Sequence, residues 1–363
     1  MCLGWLGIAR SGHFREELGG QSGPFLRQQV VFSWLAIAAM LAVSTVNYRI
    51  LARYSYPLFA LALLALVAVY FFPPINNARR WIRIGPIGFQ PSEFAKLAYV
   101  LALAQYLMYR ENYRRLRGLA MPLAITLVPV LLVLKEPDLG MALVFLPVFF
   151  VMLFAAGARR GDLLKVALLG LCVLPLLWSQ MSREQRSRVT ALFDQPAPDE
   201  RPSDDAYHLH QAKRMLAMGG LWGSLVSGQP TDDPAAYNLP EARTDFIFCV
   251  LGERLGLWGL AVVLGLYAVI VWRGLTIAAA TREPFGRLVA VGVVTLLAVQ
   301  ALINAGMTVG LLPITGLPLP LVSYGGSGTL VHGIALGLLL NIGARPGYEL
   351  TAEPFRWVAD ESP

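Results

Sequence analysis

Nine mostly apolar stretches divide this chain, near 30–46, 56–73, 94–109, 120–134, 139–157, 163–179, 246–272, 288–306 and 329–343. A bilayer core about 30 Å thick is crossed by about 20 helical residues. In lipid only a helix or a closed barrel satisfies every backbone polar group. Leu, Ala, Val and Phe fill the stretches, while Arg, Pro, Gly and Asn collect in the breaks. Pro122, Pro129 and Pro147 fall inside stretches, where membrane helices tolerate them. The pattern predicts an all-α fold: a polytopic transmembrane helical bundle of nine spans, with residues 1–363 forming a single integral membrane domain. Only 15% of the residues are charged and the mean hydropathy is +0.56, against about 25% charged residues in soluble domains. The opening "MCLGWLGIA" is apolar but too short to span, and no cleavage motif follows it. It reads as the tail of a first span whose beginning is missing.

The net charge is +7. The arginines sit in short breaks between apolar runs, which suits membrane topology and not nucleic-acid binding. One alternating set of breaks holds Arg49, Arg53, Arg110, Arg114, Arg115, Arg117, Arg159, Arg160, Lys165, Arg273, Arg282, Arg287, Arg345 and Arg356. The other set is poorer in Lys and Arg once the long loop 180–244 is set aside. The positive-inside rule makes the first set cytoplasmic. Residues 180–244 then form a large extracytoplasmic loop, and 74–93 faces the same way. Arg79, Arg80 and Arg83 contradict the rule on that outer side. They either cap helices and bind lipid headgroups, or they hold an anionic ligand.

Three stretches on this outer side carry the polar chemistry. In "ARRWIRIGPIGFQPSEFAK", 78–96, Ser92 suits a helix N-cap, and Glu93 and Lys96 become i, i+3 neighbours. Lys96 already lies inside an apolar run, where a cation needs a partner or water. The long loop contains "AYHLHQAKRMLAMGGLWG", read as an amphipathic interfacial helix ending at Gly219–Gly220. At its exit Asp245 stands one residue before an apolar run, where Thr244 or Asp245 could cap the helix. Glu253, inside that run, either pairs with Arg254 or another helix, or lines a polar cavity. In "GLLPITGLPLPLVSYGGSGTL", 310–330, the prolines and glycines forbid a continuous helix, so the backbone must be buried or line a cavity. Its "SYGGSG" could offer amides and hydroxyls to phosphate. Cys2, Cys172 and Cys249 form no ligand pattern, and no cysteine completes a site with His208 and His210.

"RWIRIGPIGFQPSEFAK", "EPDLG", "LPEARTDFIF", "GERLG" and "LPITGLPLPLVSYGGSG" occur in an order and spacing that resembles the SEDS family (shape, elongation, division and sporulation: RodA, FtsW and SpoVE) from about residue 25 to 344. "NYRIL", "EPDLG" and "PITGLPLP" look most like the RodA branch. The resemblance implies ten spans, the first truncated here. It implies a glycosyltransferase that polymerises lipid II into the nascent glycan strand at the outer face of the cytoplasmic (inner) membrane of a bacterium, for elongation and shape. The implied partners are membrane lipids and a class B penicillin-binding protein. The family's catalytic aspartate falls on Asp245. Other family positions fall on Arg80, Trp81, Gln90, Pro91, Ser92, Glu93, Lys96, Gln211, Lys213, Glu253, Ser323, Tyr324, Gly325 and Gly326. The chain departs from the family at Ala212, Arg243, Arg254 and the "GSL" of 223–225.

On this reading Asp245 is a general base, and Arg79, Arg80, Lys96, Lys213 and Arg243 are the cations for a lipid pyrophosphate. Burial would raise the pKa of Asp245 and the arginines would lower it. No cofactor is required. Magnesium or manganese could assist, but the sequence holds no dedicated carboxylate cage. A lipid II flippase and a non-catalytic scaffold for a transpeptidase are the alternatives.

Overall fold

The computed structural model describes residues 1–17, 25–74, 78–84, 87–109, 116–193, 204–228, 237–345 and 347. In chain order the helices are α1 (Cys2–Glu17), α2 (Phe25–Thr45), α3 (Tyr48–Ala68), α4 (Pro91–Tyr109), α5 (Ala120–Lys135), α6 (Leu139–Ala156) and α7 (Arg160–Gln180). They continue as α8 (Arg183–Thr190), α9 (Asp204–Gly219), α10 (Ser224–Ser227), α11 (Ile247–Ala280), α12 (Pro284–Val309) and α13 (Gly326–Ala344). Each apolar stretch has become one helix. Among the described residues, eight are long and apolar enough to cross a membrane. The ninth stretch, α4, is not among the eight, because Glu93, Lys96 and Gln105 dilute its hydropathy.

Local chemistry sets the helix ends. Asp138 caps α6 by accepting from the Met141 amide at 3.1 Å. Glu283 caps α12 by accepting from the amides of Phe285 (2.9 Å) and Gly286 (2.5 Å), and Pro284 takes the first helical position, where its missing N–H costs nothing. Ser92 is not the cap expected of it. Helix α4 begins at Pro91, and Ser92 lies buried in its first turn. The all-helical expectation also misses a small antiparallel hairpin, in which Ile82–Ile84 pairs with Ile87–Phe89.

Two apolar cores share the bundle. One gathers side chains of α3, α4, α5, α6, α12 and α13, including Tyr99, Phe145, Phe149 and Phe285. The other joins α1, α9 and α11 to the segment 314–322. Helix α13 packs closely along α2. A Cβ on Gly333 or Gly337 would come within 2.5 Å of the carbonyl oxygens of Ala36 and Met40 respectively, so only glycine permits this approach.

Helix α11 is broken at Gly256 (φ 67°, ψ −170°). The Leu257 and Trp258 amides leave the helical ladder and donate to Gly220 O (3.0 Å) and Leu221 O (3.4 Å), in the turn after α9. A Cβ on Gly256 would meet Leu221 O at 2.4 Å. Gly256→Ala is therefore expected to cost at least the ~1–3 kcal/mol of a glycine-only backbone region, read as a lower melting temperature of the purified chain.

The connections that place the site all lie at one end of the bundle. These are the hairpin before α4, the turn 136–138 between α5 and α6, the exit 241–246 into α11, and the segment 310–325 between α12 and α13. They belong to the arginine-poor set of breaks.

Candidate active site

A cavity of about 200 Å³ opens at this end. Its wall includes Arg80, Trp81, Gln90 and Glu93 from the hairpin and α4, and Asp138 and Met141 at the start of α6. Glu241, Thr244 and Asp245 come from the exit into α11, and Ser323, Tyr324, Thr329 and His332 from the last loop and α13. The amino-terminal ends of α4, α6, α11 and α13 meet here, and each brings the positive end of a helix dipole.

Asp245 sits in the turn 241–246, where its own amide donates to Glu241 O at 3.1 Å. The Asn304 side-chain amide donates to Asp245 O and to Leu317 O, both at 2.7 Å, and ties the turn to α12 and the last loop. The expected capping role fails. The N-cap of α11 is Phe246, and it has no side-chain cap bond. Thr244 Oγ1 instead donates to Glu241 Oε2 at 2.9 Å. The carboxylate of Asp245 is thus left to the cavity. Burial, then the charges of Glu241 and Asp138, push it up to about 7, and Arg188 and Arg80 only partly offset them. The contest left open by the sequence is decided in favour of burial.

Arg80 is fixed by donating to Glu136 O at 3.1 Å and to Pro137 O, and by an ion pair with Asp138 Oδ2 at 3.6 Å. Burial raises the carboxyl of Asp138 above its ordinary value despite Arg80. Burial, helped by Asp138, pushes Glu136 up to about 9. Glu93 and Lys96 form the expected i, i+3 pair at 3.1 Å, and both are buried. Glu93 is on the cavity wall, with Lys96 and Ser92 behind it.

Other expected site residues are placed elsewhere. Arg79 points outward and donates to Tyr70 O at 2.7 Å. Arg243 stacks on Phe25, with its guanidinium carbon 3.8 Å from the ring centre. Lys213 lies against Gly310, where α9 meets the end of α12. Glu253 is fully buried and pairs with Arg10 of α1 at 3.3 Å, not with Arg254. The groups of "SYGGSG" are largely used within the protein. Ser323 Oγ donates to Thr244 O (2.5 Å), Gly325 N donates to Gln29 Oε1 (3.0 Å), and Ser327 Oγ donates to Gly88 O (3.1 Å). These three groups brace the loop. Trp81, Gln90, Ser323 and Tyr324 do reach the wall.

Glu136, Asp138, Arg188, Glu241 and His332 were not singled out from the sequence. Asp138 had a readable signal: an acid directly before an apolar run, inside "EPDLG". Among the described residues, no group of three or more His, Cys, Asp or Glu could hold a metal ion.

Fold and site together define a multi-pass membrane protein with a cavity, lined by carboxylates and arginine, at the end of its bundle. The sequence model of the family described as "Cell cycle protein", covering FtsW, RodA and SpoVE, matches residues 2–346, and the chain belongs to this family. It is 36% identical to the probable peptidoglycan glycosyltransferase FtsW of Geobacter metallireducens, over 88% of this chain and 85% of that protein. It is also 36% identical to the peptidoglycan glycosyltransferase MrdB of Escherichia coli, over 89% of this chain and 86% of that one. Among solved structures, it resembles a chain from a study of polymerization and crosslinking by a peptidoglycan synthase complex (TM-score 0.77, 32% identity, 95% and 97% of the two chains). It also resembles the rod shape determining protein RodA of Thermus thermophilus (TM-score 0.68, 30% identity, 95% and 96%).

Proposed function

We propose that this peptidoglycan glycosyltransferase uses Asp245 as the general base of lipid II polymerisation, in the service of cell elongation and shape. The observation that carries the proposal is a carboxyl group on a cavity wall, pushed up to about 7 by burial and by neighbouring acids. A base poised near the working pH combines a usable ionised fraction with enough basicity to take a proton. The acceptor's sugar 4-hydroxyl gives its proton to Asp245 while its oxygen bonds to the anomeric carbon of the growing chain. The bond from that carbon to the lipid pyrophosphate breaks, and the pyrophosphate leaves with the electron pair. It is already a stable anion, so one carboxylate can suffice where glycosidases need two. Arg80 lies on the same wall to meet that charge. A magnesium or manganese ion riding on the pyrophosphate would be an accessory.

The arginine distribution supports an inner-membrane protein whose cavity faces the periplasm or cell exterior. The neighbour from a peptidoglycan synthase complex supports a crosslinking partner, a class B penicillin-binding protein. The resemblance to RodA supports the elongation role.

The test is the pH dependence of polymerisation. The ionised fraction of a group with a pKa about 7 rises with pH, so kcat/KM for lipid II is expected to climb through pH 6–8 and level off above. A flat profile from pH 5 to 9 would refute the assignment. Movement of labelled lipid II across vesicles without polymer would favour the flippase. A transpeptidase complex that makes no polymer of its own would favour the scaffold.

A further inference from the structure

His332 lies two turns into α13 and is 2% exposed, yet it forms part of the cavity wall. Gly325, Gly328, Thr329 and His332 share one face of the helix by their spacing and line that wall together. A Cβ on Gly328 would lie 3.6 Å from the Glu93 carboxyl carbon, so α13 approaches α4 closely here. The His332 ring is held by Nε2, which is 3.1 Å from Gln300 Oε1. Gln300 occupies Nε2, so Nδ1 is the ring nitrogen left to meet a ligand, as acceptor or donor according to the tautomer. Among the described residues no hydrogen bond within the chain is made by Nδ1, and the residue lines the cavity.

The surroundings say what kind of partner fits. Gln90, Thr329, His332 and Glu93 make this wall polar without adding a free cation, since Lys96 is held by Glu93. Arg80 stands with Asp138, on the side where α6 begins. A pyrophosphate suits Arg80. The α4–α13 wall suits a neutral ligand rich in hydroxyl and amide donors.

We propose that His332 is a sugar-binding residue, whose Nδ1 forms a hydrogen bond with a hydroxyl or acetamido group of the amino sugar seated against the α4–α13 wall. This rests on the polymerase reading above and names one of its contacts. It predicts that two conservative replacements part company. In His332→Asn the amide atoms overlie the Nδ1 position, and in His332→Gln they overlie Nε2 and keep the bond to Gln300.

The experiment uses the full chain with lipid II, measuring kcat, KM and the melting temperature of each variant, and the equilibrium dissociation constant for lipid II, which needs no turnover. His332→Gln is expected to raise KM and the dissociation constant about 3–10-fold, the worth of one neutral hydrogen bond, with kcat within about twofold. His332→Asn, which keeps polar atoms at the Nδ1 position, is expected to bind lipid II more tightly than His332→Gln does. Binding by His332→Gln equal to that of the parent would overturn the proposal. So would an equal loss in both variants tracking a fall in melting temperature, because His332 would then only pack the core. A parent chain that binds lipid II but makes no polymer would refute the polymerase reading alone, and the order of the dissociation constants would still decide the role of His332.

Discussion

Lys96→Met is expected to destabilise the folded chain by about 3–5 kcal/mol, the usual cost of removing one partner from a buried ion pair. Lys96 and Glu93 are each 1% exposed, 3.1 Å apart, near the start of a helix inside the bundle. Neither Glu93 oxygen makes a well-aligned hydrogen bond to any described residue, so the ion pair is its main compensation. Removing the ammonium leaves a 1% exposed carboxylate at the α4–α13 contact without its counter-ion. Removing both charges, in Glu93→Gln with Lys96→Met, should recover much of the loss, because a buried pair stabilises little over a neutral replacement of similar volume. Thermal melting of the purified single and double variants reads this directly. A Lys96→Met chain that melts with the parent would show that the pair is wetted by the cavity and is not a structural element.

The spans were legible because lipid imposes one rule on every residue of a run. Hydropathy therefore located a helix at each of the nine apolar stretches, eight of which are long and apolar enough to span among the described residues, and the proline-rich run 310–325 announced its own irregularity. The helix 204–219 was also readable, down to its end at Gly219. Caps were harder. Asp245 and Ser92 have cap chemistry, but each cap depends on where the chain enters its helix. The 241–246 turn moved one entry a residue later, and Pro91 moved the other earlier by two residues. Pairing across the bundle was illegible: Glu253 sits beside Arg254 in the chain, yet its partner is Arg10, 243 residues away. The same holds for Arg79 and Arg80. These neighbours differ only in direction, and the turn 136–138 captures one of them. His332 gave no signal, since a lone histidine in an apolar helix reads as core until the facing helix is known.

Asp245→Asn is expected to reduce lipid II polymerisation by about 10²–10⁴-fold, the range of a general base. The change is nearly isosteric, and the Asn304 side-chain amide holds this turn through the backbone oxygen of Asp245, so the fold should survive. Stability should move in the opposite direction. The pKa of Asp245 is raised above its ordinary value to about 7 in the folded chain. The native state therefore binds the proton more tightly than the unfolded state. The resulting stability is present below the ordinary aspartate range and is lost as pH rises through about 7. An amide escapes that loss, so Asp245→Asn should melt above the parent at pH 8 and converge with it near pH 4.

The most direct measurement of the central claim is glycan polymer made from lipid II at pH 8 by the purified Asp245→Asn chain with its crosslinking partner, alongside the melting temperature of the same preparation. A folded variant, at least as stable as the parent and making at most about one hundredth of its polymer, is the predicted result. Polymer formed at the parental rate by that folded variant would contradict the assignment of Asp245 as the base.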